Sequence, residues 1–140
     1  MRNLPEKAMK RTANKKLNYL YYFGIAIFGI LFLISGFFEI TKDSATYPKT
    51  LSMGYPPYFI TTLGFAKIMG VVVLWLPYFK RLKEWVFAGF TFDVIFAFIS
   101  GLQINSMADC VKASVALILI MLTYALFRMV YRPGEPSIHL

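Results

Sequence analysis

The stretch YFITTLGFAKIMGVVVLWL at residues 58–76, followed by PYFKRLKE at 77–84 and WVFAGFTFDVIFAFISGL at 85–102, decides the fold. Tyr58 to Leu76 and Trp85 to Leu102 are each long and apolar enough to cross a bilayer as a helix. The short polar turn between them forces the two helices to run antiparallel and side by side. Each span carries one charge of opposite sign, Lys67 and Asp93. Lys67 lies nine residues before Leu76 and Asp93 eight after Trp85, so at a rise of about 1.5 Å per residue both sit roughly 12 to 14 Å deep. That is close to the middle of a hydrocarbon core about 30 Å thick. Opposite charges at one membrane depth are costly, and they mark a functional site by default.

Two further apolar stretches, Leu17 to Phe38 and Cys110 to Val130, flank this pair. With 58% hydrophobic and 18% aromatic residues in 140, the chain is too apolar for an ordinary soluble domain of its size. The expected fold is all-α, an integral membrane four-helix bundle. Its divisions are a basic segment at 1–16, a four-span domain at 17–132 and a disordered tail at 133–140 opened by Pro133-Gly134-Glu135-Pro136. The first apolar run exceeds the core of a secretory signal, and Ile40-Thr41-Lys42-Asp43 is no small-residue cleavage site, so this span reads as an uncleaved anchor.

The net charge of +8 suggests nucleic acid only if the basic residues share one face. They follow topology instead. Eleven of them lie in the first sixteen residues, the 77–84 turn and the last segment, against Lys42, Lys49 and Lys112 on the opposite side. The positive-inside rule then puts both termini and that turn in the cytoplasm. Attraction to anionic lipid head groups accounts for the basic excess, and no nucleic-acid partner is expected. Cys110 and His139 are the only cysteine and histidine, which excludes an internal disulfide, a multi-cysteine zinc or iron-sulfur site and a bis-histidine haem within one chain. A redox role would need a partner subunit or a freely bound molecule such as a quinone.

Around the two charges the sequence supplies small residues. Gly89, Asp93, Ala97 and Gly101 recur every four positions and form one stripe on the third span; Gly64, Lys67 and Val71 share a face on the second. The glycines, including Gly24, Gly29 and Gly36 of the first span, read chiefly as close helix packing. Trp75, Trp85, Tyr78 and Phe79 read as interfacial anchors. The loop from Asp43 to Pro57, with Pro48, Pro56 and Pro57, is expected to be irregular and to fold back as a lid. Glu39, at the outer end of the first span, is the candidate third member of the site, its alternative being exposure at the membrane surface. Glu84 is expected to complement the dipole at the start of the third helix.

From the first span to about Leu102 the chain resembles the DoxX-like membrane proteins, small four-helix bundles. The likeness is carried by Gly54-Tyr55-Pro56 with Tyr58, by Leu63-Gly64-Phe65-Ala66-Lys67 with Gly70, and by Leu82-Lys83-Glu84-Trp85-Val86-Phe87-Ala88-Gly89-Phe90 with Phe92-Asp93. Lys67, Glu84 and Asp93 match the family's polar positions. The family commonly has a histidine after the serine closing the third span, where this chain has Gly101. Most members of the family it resembles have no known activity, and the wider superfamily includes subunits of membrane redox complexes, one of them in an archaeal thiosulfate:quinone oxidoreductase, and distant animal relatives that act as receptor-assembly chaperones.

Three functions follow as expectations. The leading one is binding of a lipophilic small molecule, a quinone being one candidate, inside the bundle by Lys67, Asp93 and Glu39, in a redox or thiol-stress system. In that reading the Lys67 ammonium donates to a carbonyl or phenolate oxygen and Asp93 accepts a hydrogen bond. The alternative is a non-catalytic assembly factor for a partner membrane protein, and a small transporter comes third. No catalytic motif is present. Expected partners are the lipid bilayer, of a bacterial inner membrane, together with a second membrane protein or further copies of the chain.

Overall fold

The computed structural model describes residues 4–131, with side chains from residue 14 onward. The described residues form helices and turns only: α1 (Leu4–Thr41), α2 (Tyr47–Ser52), α3 (Pro57–Trp75), α4 (Lys80–Gln103) and α5 (Met107–Val130). Four of them are long and apolar enough to cross a membrane, α1 through its Asn14–Thr41 portion. The expected basic segment is continuous with the first span, because α1 begins at Leu4. The tail expected at 133–140 lies outside the described residues, as does His139.

Helix ends follow local chemistry. α1 stops where Lys42 turns left-handed (φ 56°) and the Asp43 N–H donates to the Phe38 carbonyl at 3.1 Å, a Schellman closure. α4 ends the same way, with Asn105 at φ 53° and Ser106 N–H donating to the Gly101 carbonyl at 2.9 Å. α3 ends because Leu76 is extended, as a residue preceding a proline prefers. The turn is shorter than the sequence suggests, since α4 starts at Lys80 and not at Trp85. Glu84 therefore lies past the first turn and does not cap the helix; it faces Arg128 of α5 at 3.6 Å.

The α1–α3 connection also departs from expectation. Its prolines do not forbid a helix: Pro48 falls in the first turn of α2, where its missing N–H has no intrahelical partner to lose. The Asp43 carboxylate precedes it and accepts hydrogen bonds from the Ala45 and Thr46 N–H groups.

α1 is central, packed against α3 and α5, and α4 packs mainly on α5; the α3–α4 contact is the slightest of the four. At the end of the bundle bearing the α3–α4 turn, aromatic rings fill the interior, with Tyr21, Phe28, Phe87 and Phe127 all buried. Phe32 and Phe90 pack closely across α1 and α4 with tilted rings, their centroids 4.3 Å apart. Further along, α1 and α3 nearly touch. A Cβ built on Gly64 would lie 2.7 Å from the Gly36 carbonyl oxygen, so both positions require glycine. Large apolar side chains such as Phe65, Trp85 and Ile118 cover the outside, the pattern of a surface solvated by lipid.

Candidate functional site

Lys67 is only 6% exposed, and its ammonium finds three oxygens on two neighbouring helices. Nζ lies 2.5 Å from Glu39 Oε1 and 3.3 Å from Ser35 Oγ, both on α1, and 3.4 Å from Asp93 Oδ2 on α4. The Ser35 hydroxyl in turn donates to Glu39 Oε1 at 3.4 Å. The equal-depth argument thus identified a true neighbour in Asp93, but the tighter partner is Glu39. Glu39 is not exposed at a membrane surface; it is 7% exposed and fully inside the bundle. Its second oxygen, Oε2, is buried without a hydrogen-bond partner among the described residues.

Lys67 has three N–H bonds, and three oxygens surround them. Two of these oxygens, on Glu39 and Ser35, accept hydrogen bonds from it, and Asp93 stands by as an ion-pair partner. Acceptor capacity is left on Glu39 and on Asp93, whose side chain is 16% exposed and the most open of the three. Counting formal charges, one ammonium faces two carboxylates.

These groups line a cavity of about 840 Å³ between α1, α3, α4 and α5, within the range of small-molecule sites. Its walls are largely apolar and aromatic, including Phe59, Phe92 and Phe96. The small-residue stripe on α4 divides here. Gly101 packs against Cys110, whereas a Cβ on Gly89 would meet nothing within 4 Å and Gly89 and Ala97 border the cavity. Gly89 is therefore not a close-packing glycine; it leaves open space beside Asp93. Gly64, by contrast, is a close-packing glycine of the tight α1–α3 seam, as expected.

The expected lid is present. Thr46, Lys49, Thr50 and Met53 of the α2 segment line the cavity, and Lys49 is ion-paired to Asp109 at the start of α5. Tyr55 Oη and Ser100 Oγ share a hydrogen bond of 2.9 Å that ties the same segment to α4.

Sequence reasoning missed several of these groups. Ser35 had a signal, its spacing of four from Glu39. Lys49, Asp109, Tyr55 and Ser100 had none, because loop-to-helix contacts leave no periodicity. A second buried cation was also missed: Lys83, counted as a topological charge, is 0% exposed. It rests 5.6 and 5.4 Å from the ring centres of Tyr21 and Tyr131, with the Tyr21 hydroxyl at 3.5 Å. Burial pushes the Tyr131 phenol up to about 12, so that ring is a neutral neighbour and supplies no counter-charge.

No curated protein and no solved structure matches the chain. The four-span helical architecture and the sequence between Ile25 and Leu126 have a family counterpart, since the model of the DoxX-like family matches residues 25–126. With most of the chain covered, including all of the Lys67, Glu39 and Asp93 site, the protein belongs to the DoxX-like family of membrane proteins.

Proposed function

We propose that this DoxX-like protein binds a lipophilic small molecule in the cavity between α1, α3, α4 and α5, with Lys67, Glu39 and Asp93 as its polar anchor. One observation carries the reading. A buried carboxylate oxygen without a donor, Glu39 Oε2, belongs to a charged cluster that borders an apolar-walled cavity of about 840 Å³. A charge cluster serving structure alone is best sealed by packing, because every unfilled hydrogen bond at low dielectric costs free energy. Here Gly89 and Ala97 keep the space beside it open. A quinone is among the ligands this reading admits, and a redox or thiol-stress role would then run through a partner protein, since the chain has one cysteine and one histidine.

The test is mass spectrometry of molecules copurifying with the detergent-extracted protein, beside a Gly89→Leu variant that fills the cavity. A stoichiometric lipophilic molecule in the parent, lost from a folded Gly89→Leu protein, is the expected result. A parent without any such molecule, or a variant that keeps it, refutes the reading.

The orientation belongs to the same proposal, in a bacterial inner membrane with both termini cytoplasmic and α2 on the outer face. A cysteine introduced within residues 1–16 should resist membrane-impermeant labelling in intact cells, and one at Ser52, exposed on α2, should react. The reverse pattern inverts the topology.

A further inference from the structure

The balance of charge and of hydrogen-bonding capacity at the site narrows the ligand. Resting on the cavity reading above, we infer that the occupant is a lipophilic organic cation with N–H donors, an arylalkyl or alkyl ammonium, seated against Asp93. Donors and acceptors are mismatched in one direction. Lys67 donates to Glu39 and to Ser35, its charge lies 3.4 Å from Asp93, and the Ser35 hydroxyl donates to Glu39. What remains is an excess of acceptors, with Glu39 Oε2 buried and unpartnered among the described residues. A ligand presenting only carbonyl oxygens, as a quinone does, leaves the acceptors on Glu39 and Asp93 unfilled and competes with them for the Lys67 ammonium. A ligand presenting N–H groups supplies the missing donors.

The charge count points the same way. With one ammonium and both carboxylates ionised the cluster carries a formal charge of −1 in a membrane interior, an expensive state relieved by protonation of a carboxylate or by uptake of a cation. A bound ammonium brings the site to neutrality. Asp93 is the seat, because it is the more exposed carboxylate and the more distant from Lys67, 3.4 Å against 2.5 Å for Glu39. Glu39 then remains the partner that holds Lys67. The aromatic residues suit the same guest: Phe92, Phe96 and Phe59 border the cavity, and aromatic rings attract cations. At the mouth, Lys49 is offset by Asp109, and Lys112, 3.9 Å from Asp109, is exposed to solvent, where its repulsion of an entering cation is screened.

The experiment compares three probes by isothermal titration, with the full chain in phosphatidylcholine nanodiscs and empty nanodiscs as the reference. The probes are 4-phenylbutylammonium, its neutral isostere 4-phenylbutanol, and decylubiquinone. The parent should bind the ammonium at least about tenfold more tightly than the alcohol. In Asp93→Asn that preference should fall to about twofold or less while the alcohol's own affinity is kept, which also certifies that the variant is folded. If the alcohol or the quinone binds the parent as tightly as the ammonium, the ligand class is overturned while the cavity reading stands. An ammonium preference that survives Asp93→Asn overturns Asp93 as the seat. Failure of all three probes to bind overturns the inference together with the cavity reading beneath it.

Discussion

Lys67→Met is the most informative single substitution, because Lys67 is the hub of a three-charge cluster. Methionine nearly keeps the length of the side chain and removes the only cation ion-paired to Glu39 and Asp93 among the described residues. Breaking a buried ion cluster at its shared member leaves uncompensated charge, a loss on the order of 3 to 5 kcal/mol. The two carboxylates are unequal partners. At an effective dielectric of about 20, charges 2.5 Å apart attract by about 6.6 kcal/mol and charges 3.4 Å apart by about 4.9. Both figures are gross and largely offset by desolvation, but their difference ranks the variants. Glu39→Leu should cost about 1 to 2 kcal/mol more than Asp93→Leu, since each leaves Lys67 one carboxylate. The decisive measurement is a set of reversible denaturation curves in mixed detergent micelles. The double variant Lys67→Met with Asp93→Leu should not recover stability, because Glu39 stays buried and alone; adding Glu39→Leu should recover most of it, as apolar replacement of buried ion clusters does. Full recovery in the double variant would show a pair and not a triad. A larger loss for Asp93→Leu than for Glu39→Leu would refute the ranking by distance.

The glycines separate cleanly by stability. Gly64→Ala drives a methyl against the Gly36 carbonyl and should lower unfolding free energy by about 1 to 3 kcal/mol, whereas Gly89→Ala meets open space and should be neutral or stabilising by up to about 1 kcal/mol; equal effects in the same denaturation assay would contradict the geometry. Lys83→Met keeps the volume of a buried cation that contacts rings and no carboxylate among the described residues, so its unfolding curve should lie within about 2 kcal/mol of the parent's, the scale of a desolvated cation–π contact. A loss of 4 or more would reveal a strong counter-charge. The Lys49–Asp109 pair is partly exposed and should contribute no more than about 1 kcal/mol, yet a disulfide built there, Lys49→Cys with Asp109→Cys on a Cys110→Ala background, should slow ligand exchange by locking α2 down. Unchanged exchange in the oxidised protein would show that entry does not pass the lid.

The architecture was legible because membrane depth is a one-dimensional quantity, and apolar length reads it directly. The runs 58–76 and 85–102 have lengths and a short turn that leave little freedom, and the helices observed differ from them by a few residues at their ends. What went astray depends on directions around the helix axis and on contacts between distant segments. The α4 stripe is a case in point. A repeat of four shows that Gly89 and Gly101 share a face, but not that one meets Cys110 and the other opens onto a cavity. The lysines show the same limit. Lys83 was counted with Lys80 and Arg81 as a topological charge, and only the approach of α1 and the end of α5 reveals that it is enclosed by Tyr21 and Tyr131.

Glu39 shows why depth counting from a turn found one partner and undervalued the tighter one. Gly36 faces Gly64 across the α1–α3 seam, so Glu39, three residues further along α1, stands opposite residue 61 of the antiparallel α3. By backbone level it is six residues, about 9 Å, nearer the α2 end of the bundle than Lys67. Counting therefore places it at the surface. Side chains, however, lean toward the N-terminus of their own helix. α3 starts at the α2 end, so Lys67 leans toward that end; α1 starts at the opposite one, so Glu39 leans away from it. On antiparallel neighbours with this offset the two tilts converge, and two long side chains close the remaining gap to 2.5 Å. Asp93 has a shorter side chain on a helix directed like α1, and it approaches Lys67 only to 3.4 Å. The looser partner is thus left bordering the cavity, because the tighter one reaches Lys67 from a level that the sequence assigned to the surface.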